Sequence, residues 1–273
     1  MELIFEMFSH TFIVRALIVG VLVSLCAALL GVSLVLKRYA MIGTGLSHVG
    51  FAAMAIASVI DIAGLTLAMP VVVGAAFLLL RISESSKIKG DSAVALISTG
   101  SLAVGVIIVS LTTGLTLHIC NVMFGSIFAM TQATVRFSVA LSIIVIALFV
   151  LFYNQLFAVT YDETFARATG TKVNVYKTLL ALLTAVTVVL GMQMMGALLI
   201  ASLTIFPALT AMRICKRFLT VVITAAVIGV ACFFVGMVFS FQFDLPPGAS
   251  VVGVNLILFS IFSGIAFFRG VKA

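Results

Sequence analysis

The sequence predicts an all-α polytopic membrane protein, a bundle of eight or nine transmembrane helices, and three observations carry that prediction. Of 273 residues, 64% are hydrophobic and only 8% are charged. Soluble domains carry about 25% charged residues, so no soluble fold has enough polar surface here to cover itself. The apolar runs are long and continuous, unlike the alternating segments of about 10 residues in a transmembrane barrel, and helices and closed barrels are the two backbone arrangements that lipid allows. The formal charge of +7 gathers at the ends of apolar runs, where it reads as topology and not as a nucleic-acid surface.

The elements follow in order as apolar runs near 12–36, 41–60, 63–80, 92–113, 135–153, 178–212, 219–241 and 250–268. About 20 residues cross the hydrocarbon as a helix, so 178–212 is too long for one span and short for two. Its centre reads Gly191-Met192-Gln193-Met194-Met195-Gly196, a place for a break. Charge placement favours a hairpin there. With Lys37 and Arg38 inside, Arg81, Lys87, Lys89, Arg167, Lys172 and Lys177 also fall inside. Arg213, Lys216 and Arg217 join them only if 178–212 enters and returns, and Arg269 and Lys272 then follow. Arg15 and Arg136 alone lie near the outer face, and the asymmetry puts the N-terminus outside and the C-terminus in the cytoplasm. The 114–134 segment reads as an outer loop or a re-entrant piece. Glu2 and Glu6 stand where a cleavable leader would be basic, so no signal peptide is expected. The longest polar segments are 154–177 and 81–91, so residues 1–273 form a single transmembrane domain.

The sequence holds no G-x-x-x-x-G-K-[ST] phosphate loop, no H-E-x-x-H and no G-x-S-x-G. We therefore expect no catalysis by this chain. Eight acidic residues occur, none mid-span: Asp61 and Asp244 fall at outer ends, and Glu84, Asp91, Asp162 and Glu163 in inner loops. Ion-driven carriers place carboxylates within the membrane, so transport by this chain would draw on another subunit. The four cysteines, Cys26, Cys120, Cys215 and Cys232, are isolated, without metal-site spacing.

Against that background His48 stands out, because a titratable side chain at bilayer depth is costly and usually faces a bundle interior or a pathway. Thr44 and His48 are four apart and share a helix face. Gly43 and Ser47, also four apart, form a small-xxx-small pattern that lets helices approach closely. Imidazole suits zinc and other first-row divalent ions; the alternative is a histidine hydrogen-bonded to a neighbouring helix for packing alone. In the inner loop, Asp162 can cap a short helix and Gly170 can end it, with Phe165, Ala166 and Thr169 on one face. Such a helix is either a docking element or one resting on lipid headgroups. Farther on, Pro207 kinks a span near Ser202, Thr204 and Thr210. Met192, Met194 and Met195 are soft-ligand candidates or ordinary membrane packing. His10 and His118 have no partner at ligand spacing.

Three segments together carry a resemblance. Arg38 to Phe51 resembles the "R-x-x-x-x-G-D-x-x-S-H" stretch of the membrane permeases of bacterial ABC importers for zinc, manganese and related divalent metals. Tyr161 to Gly170 is similar to that family's cytoplasmic coupling segment, "D-x-x-x-A-x-x-x-G", and Gly196 to Ala211 to its late "G-x-L-L-x-x-x-L-x-x-x-P-A-x-x-A" helix. The resemblance covers nearly the whole chain, with one departure: Thr44 stands where the family commonly has aspartate.

The resemblance implies a multi-pass permease of the bacterial cell (inner) membrane, working as a homodimer. It implies a cytoplasmic ABC ATPase docked through Asp162, Glu163, Phe165, Ala166 and Gly170. An extracellular or periplasmic binding protein would deliver the metal. It places His48 on the metal path, Thr44 at the matching ligand position, and Gly43, Ser47 and Pro207 along the pathway or its gate. The metal is cargo, and no cofactor is expected on this chain. An imidazole without a neighbouring carboxylate favours zinc over manganese or iron. The alternatives are a permease for iron-chelate or cobalamin-like cargo and a non-transport membrane scaffold.

Overall fold

The computed structural model describes residues 11–85, 90–112 and 132–268, and among these every regular element is helical. Eleven helices follow: α1 (Thr11–Leu36), α2 (Ile42–Val59), α3 (Gly64–Ser85), α4 (Gly90–Leu111), α5 (Gln132–Leu151), α6 (Tyr153–Tyr161), α7 (Glu163–Ala168), α8 (Val173–Met195), α9 (Ala197–Ile214), α10 (Phe218–Phe243) and α11 (Pro247–Phe268). All but α6 and α7 are long and apolar enough to cross a membrane, nine spans among the described residues. Most of the 114–134 segment, His10, His118, Cys120, Lys87, Lys89, Arg269 and Lys272 lie outside the described residues.

Three of the tight connections use one device. Helix α1 ends with the Tyr39 amide donating to the Leu34 carbonyl and the Arg38 amide to Val35, a Schellman arrangement with Arg38 left-handed at φ +62°. Asp61 and Asp244 take the same conformation after α2 and α10, where Ile62 and Leu245 close the outer bond onto Ala57 and Ser240. The turns after α2 and α10 fold α2–α3 and α10–α11 back as neighbouring pairs, whereas the turn after α1 sends α2 away to pack on other helices.

The long run near 178–212 is two helices. Gly196 adopts φ +89°, a conformation that side chains disfavour, and the chain folds back there. Ile200 Cδ1 would lie 2.4 Å from a Cβ placed on Gly191, whereas nine residues along a straight helix span about 13.5 Å. The break predicted at Gly191–Gly196 is therefore present.

Helices α1, α8 and α2 are the most enclosed. Around them α3, α4, α5 and α11 turn most of their surface outward, towards lipid or partners. Helix α1 packs on α5, α8, α9 and α10, while α2 packs on α3, α4, α8 and α9. Helix α1 approaches the backbone of α9 closely: a Cβ on Gly31 would sit 2.0 Å from the Thr204 carbonyl oxygen. Without a hydrophobic drive between helices in lipid, such close contact supplies the packing energy. Cys26 and Cys232 are buried, with the Cys26 thiol 3.5 Å from the Ser142 carbonyl oxygen.

One end of the bundle collects the turn after α1, the end of α3, helices α6 and α7, the start of α8 and the α9–α10 junction. Rings tie it together, with Phe157 at 4.8 Å and Tyr153 at 5.7 Å from Phe218, and Phe152 at 5.7 Å from Tyr176. Lys37, Arg38, Arg81, Arg167, Lys172, Lys177, Arg213, Lys216 and Arg217 all belong to this basic end.

Candidate functional site

Helix α2 has two faces of different character, and the sequence motif divides between them. Gly43 and Ser47 are buried, and the Ser47 hydroxyl donates to the Gly43 carbonyl at 2.8 Å. A Cβ on Gly43 would lie 3.7 Å from Thr204 Oγ1, so this stripe faces α9 and serves helix packing. Thr44 and His48 lie on the other stripe and are half-buried. There His48 Nδ1 is 2.7 Å from Ser98 Oγ on α4. Seated close by, the Ser98 Cβ is 3.9 Å from where a Cβ on Gly45 would be.

This contact fixes what the imidazole can do. With Nδ1 engaged by a hydroxyl, Nε2 is the nitrogen left to take a ligand, and a hydrogen bond to the other ring nitrogen is the usual way a ligating histidine is oriented. Thr44, one turn earlier, offers a neutral oxygen. Among the described residues no group of three His, Cys, Asp or Glu side chains is placed to hold a metal ion. Ser98 escaped the sequence reading. The signal for it was the hydroxyl-rich stretch Ser98-Thr99-Gly100-Ser101 inside an apolar span.

Pro207 lies elsewhere. It is buried within α9, its Cγ 3.6 Å from where a Cβ on Gly229 of α10 would be. The proline ring removes the amide that would bond the Leu203 carbonyl, so it shapes the α1–α9–α10 packing. The nearby Thr204 and Thr210 hydroxyls bond back to the Ile200 and Phe206 carbonyls, each at 2.8 Å. Met192, Met194 and Met195 are buried in the core.

At the basic end, Asp162 caps α7 with Oδ1 accepting from the amides of Thr164 at 2.8 Å and Phe165 at 3.0 Å. Gly170 follows the helix at φ +85°. The predicted compact face is split. Ala166 is fully buried against Val159 and Val173, whereas Phe165 is 65% and Tyr161 82% exposed. Glu163 points back into the protein, with Oε1 2.8 Å from Lys37 Nζ and Oε2 accepting from Lys177 Nζ. Burial alone would raise the Glu163 carboxyl, but hydrogen bonds from Lys177 and Lys37 and their positive charges outweigh it and hold the carboxyl below its ordinary range.

The family model described as "ABC 3 transport family" matches residues 9–266. The chain belongs to the ABC 3 transport family. It is 28% identical to the manganese transport system membrane protein MntC of Halalkalibacterium halodurans, over 94% of this chain and 88% of that one. It is 27% identical to the high-affinity zinc uptake system membrane protein ZnuB of Haemophilus influenzae, over 89% and 94%. Among solved structures, PsaBC from Streptococcus pneumoniae in complex with Fab matches with a TM-score of 0.84 at 25% identity, covering 96% of this chain and 94% of that one. The resemblance read from the three segments is borne out: this is a multi-pass ABC-type permease of the bacterial cell (inner) membrane.

Proposed function

We propose that this ABC 3 chain is the permease subunit of an importer for divalent metal ions and that His48 touches the metal in transit. The single observation carrying the reading is the half-buried His48 imidazole, oriented through Nδ1 by Ser98 on an open face of α2 and α4. Intramembrane ionisable groups mark pathways. A face that opens outward in one chain suits a path completed by a second copy, so two permeases pack as a homodimer with their His48 residues near the shared axis. The basic end faces the cytoplasm, in line with the excess of Lys and Arg there. A separate ATPase docks on α7 and the exposed Phe165, and a binding protein on the opposite side delivers the metal. ATP binding and hydrolysis bias the permease between two conformations.

For selectivity, an imidazole and a hydroxyl without a carboxylate favour zinc, since manganese prefers oxygen ligands. The names of the relatives include both metals, so both belong in the test. Cells lacking the chain, with redundant uptake systems removed, are grown metal-starved and their zinc, manganese and iron measured together. A deficit in one metal restored by the wild-type chain supports the reading and names the cargo. Unchanged metal content with impaired uptake of a metal chelate transfers support to the large-cargo alternative, and no transport defect of any kind to the scaffold.

A further inference from the structure

Glu163 is the one charged side chain of the short α7 that turns inward, and it meets lysines from two spans at once. Lys37 follows the last turn of α1, and Lys177 lies in the second turn of α8. Both lysine side chains are well shielded, 6% and 11% exposed, while the Glu163 side chain is 39% exposed. Charge pairs removed from water hold their partners more strongly than surface pairs do. The remaining attachment of α7 is thin: of its six residues only Ala166 is buried, in a cluster completed by Val159 and Val173.

From this geometry we propose that Glu163 is a positioning residue that carries movement of α7 to α8 and, through Lys37, to the helix bearing His48. The inference rests on the importer reading. The route beyond Lys37 is short and stiff. The Schellman turn locks Arg38 and Tyr39 onto the end of α1, the Ile42 amide donates to the Tyr39 carbonyl at 3.0 Å, and α2 begins there, less than two turns before His48. Packed interiors transmit displacement and do not absorb it. Next to the pair lies an apolar cavity of about 30 Å³ bounded by Lys37, Tyr39, Ile42, Val94, Lys177 and Leu180.

The test uses the full chain with the ATPase that co-purifies with it. Metal-starved cells carrying wild type, E163Q, K37Q or K37Q/E163Q are supplied with zinc or manganese. Accumulation is compared with ATP hydrolysis by complexes purified from the same cells. Although the resemblance groups Glu163 with the docking residues, its carboxylate turns inward onto Lys37 and Lys177. In E163Q we therefore expect the ATPase to be retained and hydrolysis to continue, while metal accumulated per ATP falls about tenfold. The double variant should fall no further than E163Q, as expected for residues acting through one contact. An unchanged ratio overturns the proposal, as does multiplication of the two single effects in the double variant. Loss of the ATPase from E163Q also overturns it, because Glu163 would then be a docking contact. Should E163Q fail to fold, K37Q bears the test alone and an unchanged ratio is decisive. Wild-type chain that recruits no ATPase brings down the importer reading itself, and this inference with it.

Discussion

His48 on α2 and Ser98 on α4 meet at 2.7 Å through Nδ1 and Oγ, and neither residue is fully enclosed by the chain. Two adjacent helices are pinned at the one intramembrane imidazole of the described bundle, on a face open to a partner. Removing the Ser98 hydroxyl leaves the ring in place but frees its rotation and tautomer. Ser98→Ala should therefore weaken metal uptake about tenfold at limiting metal, as loss of an orienting partner does. Initial uptake rates over a range of metal concentrations check this. The predicted change is in the concentration giving half-maximal rate, with membrane abundance unaltered.

Two glycines near Thr204 are predicted to differ. At Gly31 an added methyl would lie 2.0 Å from the Thr204 backbone oxygen, and backbone cannot step aside as a side chain can. Gly31→Ala should destabilise the bundle by about 1–3 kcal/mol through overpacking. Gly43→Ala meets its nearest atom at 3.7 Å, an ordinary contact, and should be tolerated. Circular dichroism melts of the detergent-solubilised proteins give the comparison. The chain has no tryptophan for a fluorescence assay.

On α7, Phe165 and Ala166 are neighbours with opposite assignments. Phe165→Ala removes an exposed ring and should reduce co-purification of the ATPase several-fold, about 1–2 kcal/mol of interface energy, without changing the melt. Ala166→Leu pushes bulk into the closed Val159–Val173 cluster and should lower the melting temperature.

The Glu163 ion pairs give acid sensitivity of a defined sign. Because the folded carboxyl titrates below its unfolded value, its stabilisation is present above the ordinary glutamate range near about 4.3 and is lost as pH falls through the lower folded value. The stability advantage of wild type over Glu163→Gln should therefore be full at neutral pH and shrink below about pH 4. Since the carboxyl is partly exposed, the advantage should also diminish in high salt. Paired melts across pH and ionic strength measure both trends.

Much of this fold was legible because membrane helices announce themselves by length and apolarity. Charge asymmetry distinguished one long run from two spans around Gly196, and Asp162 and Gly170 marked the bounds of α7. The direction each helix face points was harder to read. Thr44 and His48 differ from Gly43 and Ser47 by one residue each, about 100° around the helix, and tertiary packing alone decides which pair meets α9. Ser98 itself and the lysine partners of Glu163 were obscured for the same reason. Ser98 lies 50 positions from His48 and Glu163 lies 126 from Lys37, and no local pattern links them.

Metal passage at His48 is open to direct measurement. The most direct measurement is the initial rate of radiolabelled zinc and manganese uptake by metal-starved cells carrying wild-type chain or His48→Ala, matched for membrane abundance and ATPase co-purification. His48→Ala should lower uptake of the transported metal by at least about tenfold, as for a lost ligand, with assembly intact. Equal uptake by the two chains, each in an intact complex, would contradict metal passage at His48.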